Sequence, residues 1–99
     1  MQKMMTRELE KKAPRLCETD GQGMDAVAVA HYFCPWNGWD WYMTEYDPDT
    51  KTAFGYVKGN YSELGYFNIN EFEAMNRRRG FEVIERDTHW YPCKLKEVA

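Results

Sequence analysis

Apolar and polar residues alternate along the middle of this chain, and the alternation predicts a series of short β-strands. The segments that alternate are residues 25–33, 39–46, 52–57 and 63–67. Between them lie short stretches of Pro, Gly, Asn and Asp, the residues that turns favour. Because each connection is short, consecutive strands are expected to pair as an antiparallel meander of about four strands.

A helix is predicted on each side of this meander. Thr6 is suited to cap the first helix, and Pro14 ends it after about two turns because proline disfavours helical geometry in the preceding residue. Asn68 and Glu71 have capping-box spacing at the start of the second helix. Gly80 follows three arginines at its end, which suits both the helix dipole and a left-handed C-cap.

The C-terminal part of the chain predicts a closing strand over residues 81–86 and an extended tail over residues 89–95. The fold class is therefore α+β: a short N-terminal helix, an antiparallel meander, a second helix, a closing strand and an extended tail. The length of 99 residues predicts a single domain spanning residues 1–99, with residues 1–5 frayed.

Composition and charge exclude several classes of protein. The chain is 43% hydrophobic and 29% charged, which is typical of a globular domain, and its net charge of −3 offers no overall basic excess for nucleic acid. No apolar stretch has the length of a membrane helix or the character of a signal peptide. Its three cysteines form no C-x-x-C pair, which favours reduced thiols and a cytoplasmic location.

Two pairs of residues have spacings that a metal site would need. His31 precedes Cys34, and His89 precedes Cys93, so two imidazoles and two thiols are available for tetrahedral zinc. His31, however, shares its strand face with valines, and a buried histidine with packed thiols explains the same residues. We therefore predict no metal and no cofactor.

Asp87 and His89 make a second candidate site. A carboxylate beside a histidine can orient the ring as a general base, which would make the protein an uncharacterised enzyme. The alternation also places Glu85, Asp87 and His89 on one face of a strand, a pattern typical of a solvated edge. No serine lies near them in sequence, and a structural or interaction role is expected, so no catalytic residue is predicted.

Aromatic residues are concentrated in the meander, where twelve of the sixteen lie between residues 25 and 67. Most are expected in the core, but tyrosine and tryptophan also anchor protein interfaces. The residues predicted to contact a partner lie in or beside the first turn of the meander: Trp36, Trp39, Asp40, Tyr42 and Tyr46. Acidic neighbours favour a protein partner over phosphate groups.

The second helix ends in Arg77, Arg78 and Arg79. Three cations in succession complement the helix dipole, and they are also able to contact a nucleic acid or an acidic partner. Together with exposed aromatic rings they define an alternative function, a binder of single-stranded nucleic acid or of a small ligand.

Several strings resemble a bacterial domain of unknown function, number 2958 in the series of such domains. The resemblance lies in residues 6–9, 18–23, 41–47, 63–67, 70–72 and 84–90. It implies a protein of plasmids, phages and integrating elements, and it defines no catalytic residues. Our hypothesis is a small non-enzymatic interaction module of a mobile element that occludes a surface of a host protein or nucleoprotein complex, such as an anti-CRISPR or anti-restriction protein. Its oligomeric state stays open.

Overall fold

A computed structural model describes residues 2–99 and shows an α+β fold with the predicted order of elements. The helices are α1 (Arg7–Lys12) and α2 (Ile69–Arg79). The strands are β1 (Val27–Ala28), β2 (Ala30–Cys34), β3 (Trp39–Asp47), β4 (Thr52–Lys58), β5 (Ser62–Asn68), β6 (Glu85–Arg86) and β7 (Cys93–Lys94). Short 3-10 turns lie at Gly23–Asp25 and Leu95–Glu97.

Both helices begin and end where their capping residues predict. Thr6 Oγ1 accepts the Leu9 N–H at 3.2 Å, and Asn68 Oδ1 accepts the Glu71 N–H at 3.1 Å, so each side chain satisfies a backbone donor of the first turn. Gly80 ends α2 with φ +77°. Glycine adopts this left-handed conformation at little energetic cost because it has no Cβ. Within residues 2–99, no helix is long and apolar enough to cross a membrane.

Five strands form the main antiparallel sheet in the order β5-β4-β3-β2-β6. β3 is the central strand, and six consecutive side chains in it are buried because both faces of the sheet are covered there. β1 and β7 form a separate two-stranded sheet. The four-strand meander of β2 to β5 is confirmed, and β6 extends it on the side of β2.

A β-bulge interrupts β3 between Met43 and Glu45 and inserts Thr44 into the strand. The bulge leaves Gly55 of β4 opposite Met43, where a Cβ on Gly55 would lie 1.7 Å from the Tyr42 carbonyl oxygen. Only glycine fits at this position, since real Cβ contacts of that length do not occur. Tight pairing at the bulge fixes the register of the two central strands.

One face of the sheet, here called the helix face, carries Tyr32, Trp41 and Met43 beneath α2. Phe72 of α2 packs against Trp41, with ring centroids 4.9 Å apart. Tyr32 is fully buried in the same cluster, and its hydroxyl donates to the Met4 carbonyl oxygen at 2.6 Å. This face holds the larger of two hydrophobic clusters, so burial against α2 supplies most of the core.

The opposite face, here called the tail face, carries His31, Tyr42 and Tyr56 beneath residues 87–98. Trp90 and Val98 pack around Tyr42 and the fully buried Leu95 in the smaller cluster. The covering segment does not reach β5, and Leu64 and Tyr66 stay 41% and 66% exposed.

The start of the described chain is fixed rather than frayed. The Gln2 side chain donates to the Arg86 carbonyl oxygen at 2.8 Å and accepts the Arg86 N–H at 2.8 Å. Met4 has an exposed fraction of 0%. The predicted fraying is therefore wrong for residues 2–5, while residue 1 lies outside the described residues.

Two predicted strands are shorter than the alternation indicated. The strand expected over residues 25–33 is interrupted at Val29, and its two parts join different sheets. In the segment 81–86, only Glu85–Arg86 pairs as a strand. The reason is the buried Asn76, whose side-chain oxygen accepts the N–H groups of Val83 and Ile84 at 2.9 and 3.0 Å and holds them in a turn.

Candidate functional site

His31 lies between two aspartates on the tail face. Its Nε2 is 2.7 Å from Asp40 Oδ1, and its Nδ1 is 3.1 Å from Asp87 Oδ2. Asp40 pairs with Phe33, two residues beyond His31, so Asp40 is a diagonal neighbour of His31 on the same face. Asp87 follows β6, and its own N–H donates to the His31 carbonyl oxygen at 2.9 Å. Three separate segments therefore meet at one imidazole.

Aromatic rings enclose this imidazole. Tyr42 stacks on His31 with ring centroids 4.6 Å apart and planes 8° from parallel. Trp90 lies 5.3 Å from His31 and 5.6 Å from Tyr42, and its indole N–H donates to the Ala28 carbonyl oxygen at 2.9 Å. Because of these rings the His31 side chain is only 13% exposed.

The two carboxylates determine which hydrogen bonds the imidazole can make. An ionised carboxylate only accepts hydrogen bonds, so the two contacts suit an imidazole that donates from both nitrogens. Partial burial raises the pKa of Asp87, but hydrogen bonds from His31 and from the His89 backbone N–H outweigh it and hold that pKa below its ordinary value. Burial, reinforced by the nearby Asp40, raises the pKa of Tyr42 to about 12.

The two ring nitrogens of His31 are both engaged by protein groups. A general base must offer a free nitrogen within reach of a substrate proton, and neither nitrogen of His31 is free in this arrangement. The network instead joins β2, β3 and the segment after β6, and it holds the start of the C-terminal cover against the sheet.

Asp87 and His89 do not form the pair that their spacing indicated. Asp87 Oδ1 accepts the backbone N–H of His89 at 2.9 Å, while its other oxygen faces His31. The His89 side chain is exposed. The imidazole that contacts the Asp87 carboxylate is thus that of His31 in the meander, a residue predicted above to be a buried histidine or a metal ligand.

The residues with metal-ligand spacing lie on different sides of the sheet. Cys34 is buried in the cluster of the helix face, whereas His31 belongs to the tail face. Burial raises the pKa of the Cys93 thiol, which disfavours the thiolate that zinc binds. Among residues 2–99, no group of three or more His, Cys, Asp or Glu side chains is placed to hold a metal ion.

A buried carboxylate, Glu45, anchors the loop that precedes the 3-10 turn. It is 3% exposed, and its two oxygens accept the N–H groups of Cys17 at 2.9 Å and Thr19 at 2.8 Å. The Thr19 hydroxyl donates to the same carboxylate. These donors satisfy a charge that would otherwise be costly to bury, so Glu45 has a structural role.

The five residues predicted to contact a partner do not share one surface. Tyr46 has an exposed fraction of 0% and Tyr42 of 7%, so exposure of these two side chains is a wrong prediction. Trp39 is half-buried over Gly59, and Asp40 is held by His31. Trp36, 72% exposed in the turn between β2 and β3, is the one that remains available.

Trp36 contacts Phe81, a residue that was not among the predicted partner contacts. Its ring lies 5.9 Å from that of Phe81, edge to face, and Phe81 is itself 48% exposed. Phe81 follows the left-handed cap at Gly80, which places it directly after the arginines of α2. We call this group the arginine–aromatic surface: Trp36, Arg77, Arg78, Arg79 and Phe81.

The three arginines of this surface are exposed. The ion pairs found in the described part of the chain involve His31, Lys94 and Lys96 and none of these arginines. The surface therefore combines two solvent-exposed rings with three charges that carry no ion pair among residues 2–99. An apolar residue immediately after a helix-ending glycine was the signal that could have identified Phe81.

The clefts of the molecule are open and shallow. One of them, of about 460 Å³, lies between the two helices, and its charged lining includes both signs, with Lys3, Arg7 and Lys51 facing Glu10 and Glu73. Its balanced charge favours no class of ligand.

The sequence of this chain matches one protein family. The chain matches the family described as "Protein of unknown function (DUF2958)" over residues 1–95 and belongs to it. No curated protein and no solved structure matches the chain.

Proposed function

We propose that this protein is a non-enzymatic interaction module of a bacterial mobile element, and that it inhibits a host defence complex by covering one of its binding surfaces. The arginine–aromatic surface is the observation that carries the proposal. Aromatic and arginine side chains dominate the energetics of interfaces, and here two rings are exposed beside three arginines that form no ion pair among the described residues.

The hydrogen bonds of His31 support a non-enzymatic role. Both ring nitrogens are bonded to aspartates, and stacked rings shield the imidazole from solvent. This arrangement stabilises the tail face rather than activating a substrate. The setting in a mobile element is the one that the family resemblance described above implies.

The partner is a host protein or nucleoprotein complex, and photocrosslinking from single positions tests where it binds. A photoreactive phenylalanine analogue replaces Trp36 in one variant and Tyr91 in a matched variant, since Tyr91 is 84% exposed but lies outside the surface. Both variants are expressed in a bacterial host that carries restriction or CRISPR defence. We expect the Trp36 variant, and not the Tyr91 variant, to crosslink to a component of that defence.

Activity in the same host provides the second measurement. Incoming phage or plasmid DNA should survive better when the protein is present. Trp36→Ala with Phe81→Ala should abolish that protection, whereas Tyr91→Ala should retain it. Protection by the folded double variant at the level of the unchanged protein would refute the role of this surface, and no protection in any tested host would refute the anti-defence function.

A further inference from the structure

We infer that the arginine–aromatic surface binds single-stranded nucleic acid, with bases stacked on Trp36 and Phe81 and phosphates held by Arg77, Arg78 and Arg79. The inference rests on the proposed function, because it names the part of the host nucleoprotein complex that the surface covers. It has its own test, since binding of a free oligonucleotide requires no host protein.

The two rings offer flat apolar faces to solvent. With exposed fractions of 72% and 48%, Trp36 and Phe81 retain much of their ring surface uncovered although they touch each other. The edge-to-face contact fixes each ring against the other and leaves a face of the indole open. A base stacks on such a ring whatever its identity, because every base has a π-face.

The arginines supply the complementary charge. They precede Gly80 and Phe81 without a break, so the three arginines lie two to four positions before Phe81 in the chain. Guanidinium groups bind phosphate through paired hydrogen bonds. Since none of the three is in an ion pair with another residue of the range 2–99, no such pair has to break before a phosphate binds.

Four of the acidic residues that argue against phosphate in the sequence are engaged by other groups or lie away from this surface. Asp40 is bonded to His31 on the tail face, and Glu45 is buried under its loop. Asp47 and Asp49 lie at the far end of β3, about 25 Å along the strand from Trp39.

Glu82 is the acidic residue nearest in sequence to the rings. Its carboxylate accepts the backbone N–H of Gln2, which occupies one of its oxygens. Residues 77–82 thus carry three arginines and one carboxylate, and that carboxylate is already hydrogen-bonded.

Single-stranded nucleic acid fits this combination better than an acidic protein does. A strand presents flat bases and anionic phosphates along one chain, so it uses rings and arginines together. An acidic peptide would satisfy the arginines and leave the flat faces of the two rings without a matching group.

Fluorescence anisotropy of a labelled twelve-nucleotide oligothymidine tests the inference on the full-length protein. Affinity should fall as salt rises, with a log–log slope of about −2 for three phosphate contacts to a single strand. The double variant Arg78→Gln, Arg79→Gln should reduce that slope by about 1.4. Trp36→Ala should weaken binding by between about 5-fold and 150-fold, the range that loss of one stacked base implies.

Matched controls distinguish the loss of a specific contact from a change in overall charge and from misfolding. Lys11→Gln with Lys12→Gln removes the same charge from the exposed lysines of α1, and Tyr91→Ala removes an equally exposed ring. Both controls should bind within about twofold of the unchanged protein. Circular dichroism must show that each variant retains the fold.

Three results would overturn the inference. They are no oligonucleotide binding even at 50 mM salt, equal losses in the surface and control variants, and binding of polyglutamate as tight as that of the oligonucleotide. The last result would identify an acidic protein as the partner. Crosslinking from position 36 to a defence protein would then still support the proposed function, so the two proposals fail separately.

Discussion

Removal of the Asp87 carboxylate should destabilise the fold by an amount that depends on pH. Asp87 accepts hydrogen bonds from His31 Nδ1 at 3.1 Å and from the His89 N–H at 2.9 Å. The change Asp87→Ala removes both, leaves one nitrogen of a largely buried imidazole without an acceptor, and loosens the hold on the segment that covers the tail face.

The size of this effect follows from the two contacts. A hydrogen bond between charged groups contributes about 1.5–3 kcal/mol to the free energy of unfolding, and a neutral exposed one contributes less. The Asp87 side chain is 29% exposed, and solvent screening places its contribution near the lower end. We expect a total loss of about 2 kcal/mol, which lowers the Tm of a domain of this size by about 8–16 °C.

The pH dependence has a definite sign. The pKa of Asp87 in the folded protein lies below its ordinary value of 3.8, so the folded state binds this proton less tightly than the unfolded state does. The stabilisation is therefore complete well above pH 3.8 and is lost as the pH falls through the folded-state pKa. The difference between the unchanged protein and Asp87→Ala should shrink as the pH falls from about 5 toward 3.

Urea denaturation at a series of pH values measures this difference. Asp20→Ala is the matched control, because Asp20 is an exposed aspartate whose side chain makes none of the hydrogen bonds found among residues 2–99. It should change the free energy of unfolding by less than about 0.5 kcal/mol. A loss for Asp87→Ala that persisted unchanged at pH 3, or that equalled the loss for Asp20→Ala, would refute the charge-based explanation.

Two further changes test the sheet and its loop. Gly55→Ala should prevent folding or cost more than about 3 kcal/mol, since its Cβ would lie 1.7 Å from the Tyr42 carbonyl oxygen, while Gly65→Ala on the neighbouring strand, with nothing within 4 Å, should fold normally by circular dichroism. Equal stability of the two variants would show that the bulge does not fix the register. Glu45→Gln should cost about 2 kcal/mol in urea denaturation and speed amide exchange at Cys17 or Thr19, because a side-chain amide offers one acceptor oxygen in place of two. Unchanged exchange at both residues would count against the anchoring role of Glu45.

Much of the architecture was predictable from local patterns. Alternation located the meander, and the capping residues Thr6, Asn68 and Gly80 located both helices, because these signals depend on neighbours within a few residues. The strand predicted over residues 81–86 failed for a non-local reason: Asn76 holds Val83 and Ile84 in a turn instead. A hydrogen bond from a buried side chain to the backbone seven or eight residues away produces no periodic pattern in the sequence.

The His31 network was predictable in part. The turn before Trp39 sets the hairpin register, and counting back along it places Tyr42 opposite His31 and Asp40 diagonal to it. Asp87 reaches the same ring through the two-residue strand β6, which alternation cannot identify at that length. The exposure of Trp36 was predicted correctly. Its contact with Phe81 was not, because the position of the end of α2 relative to the first turn of the meander cannot be read from the pattern of any single segment.

The hydrogen bonds between Gln2 and Arg86 have a consequence for how the polypeptide folds during synthesis. The two residues are separated by 84 positions, so Gln2 leaves the ribosome well before Arg86 and must wait for it. The hairpins of the meander need only nearby residues and can form in the meantime. Met4 would remain uncovered until α2 and Arg86 emerge, and a nascent chain stalled before that point should be cleaved by protease near Met4 while its sheet resists.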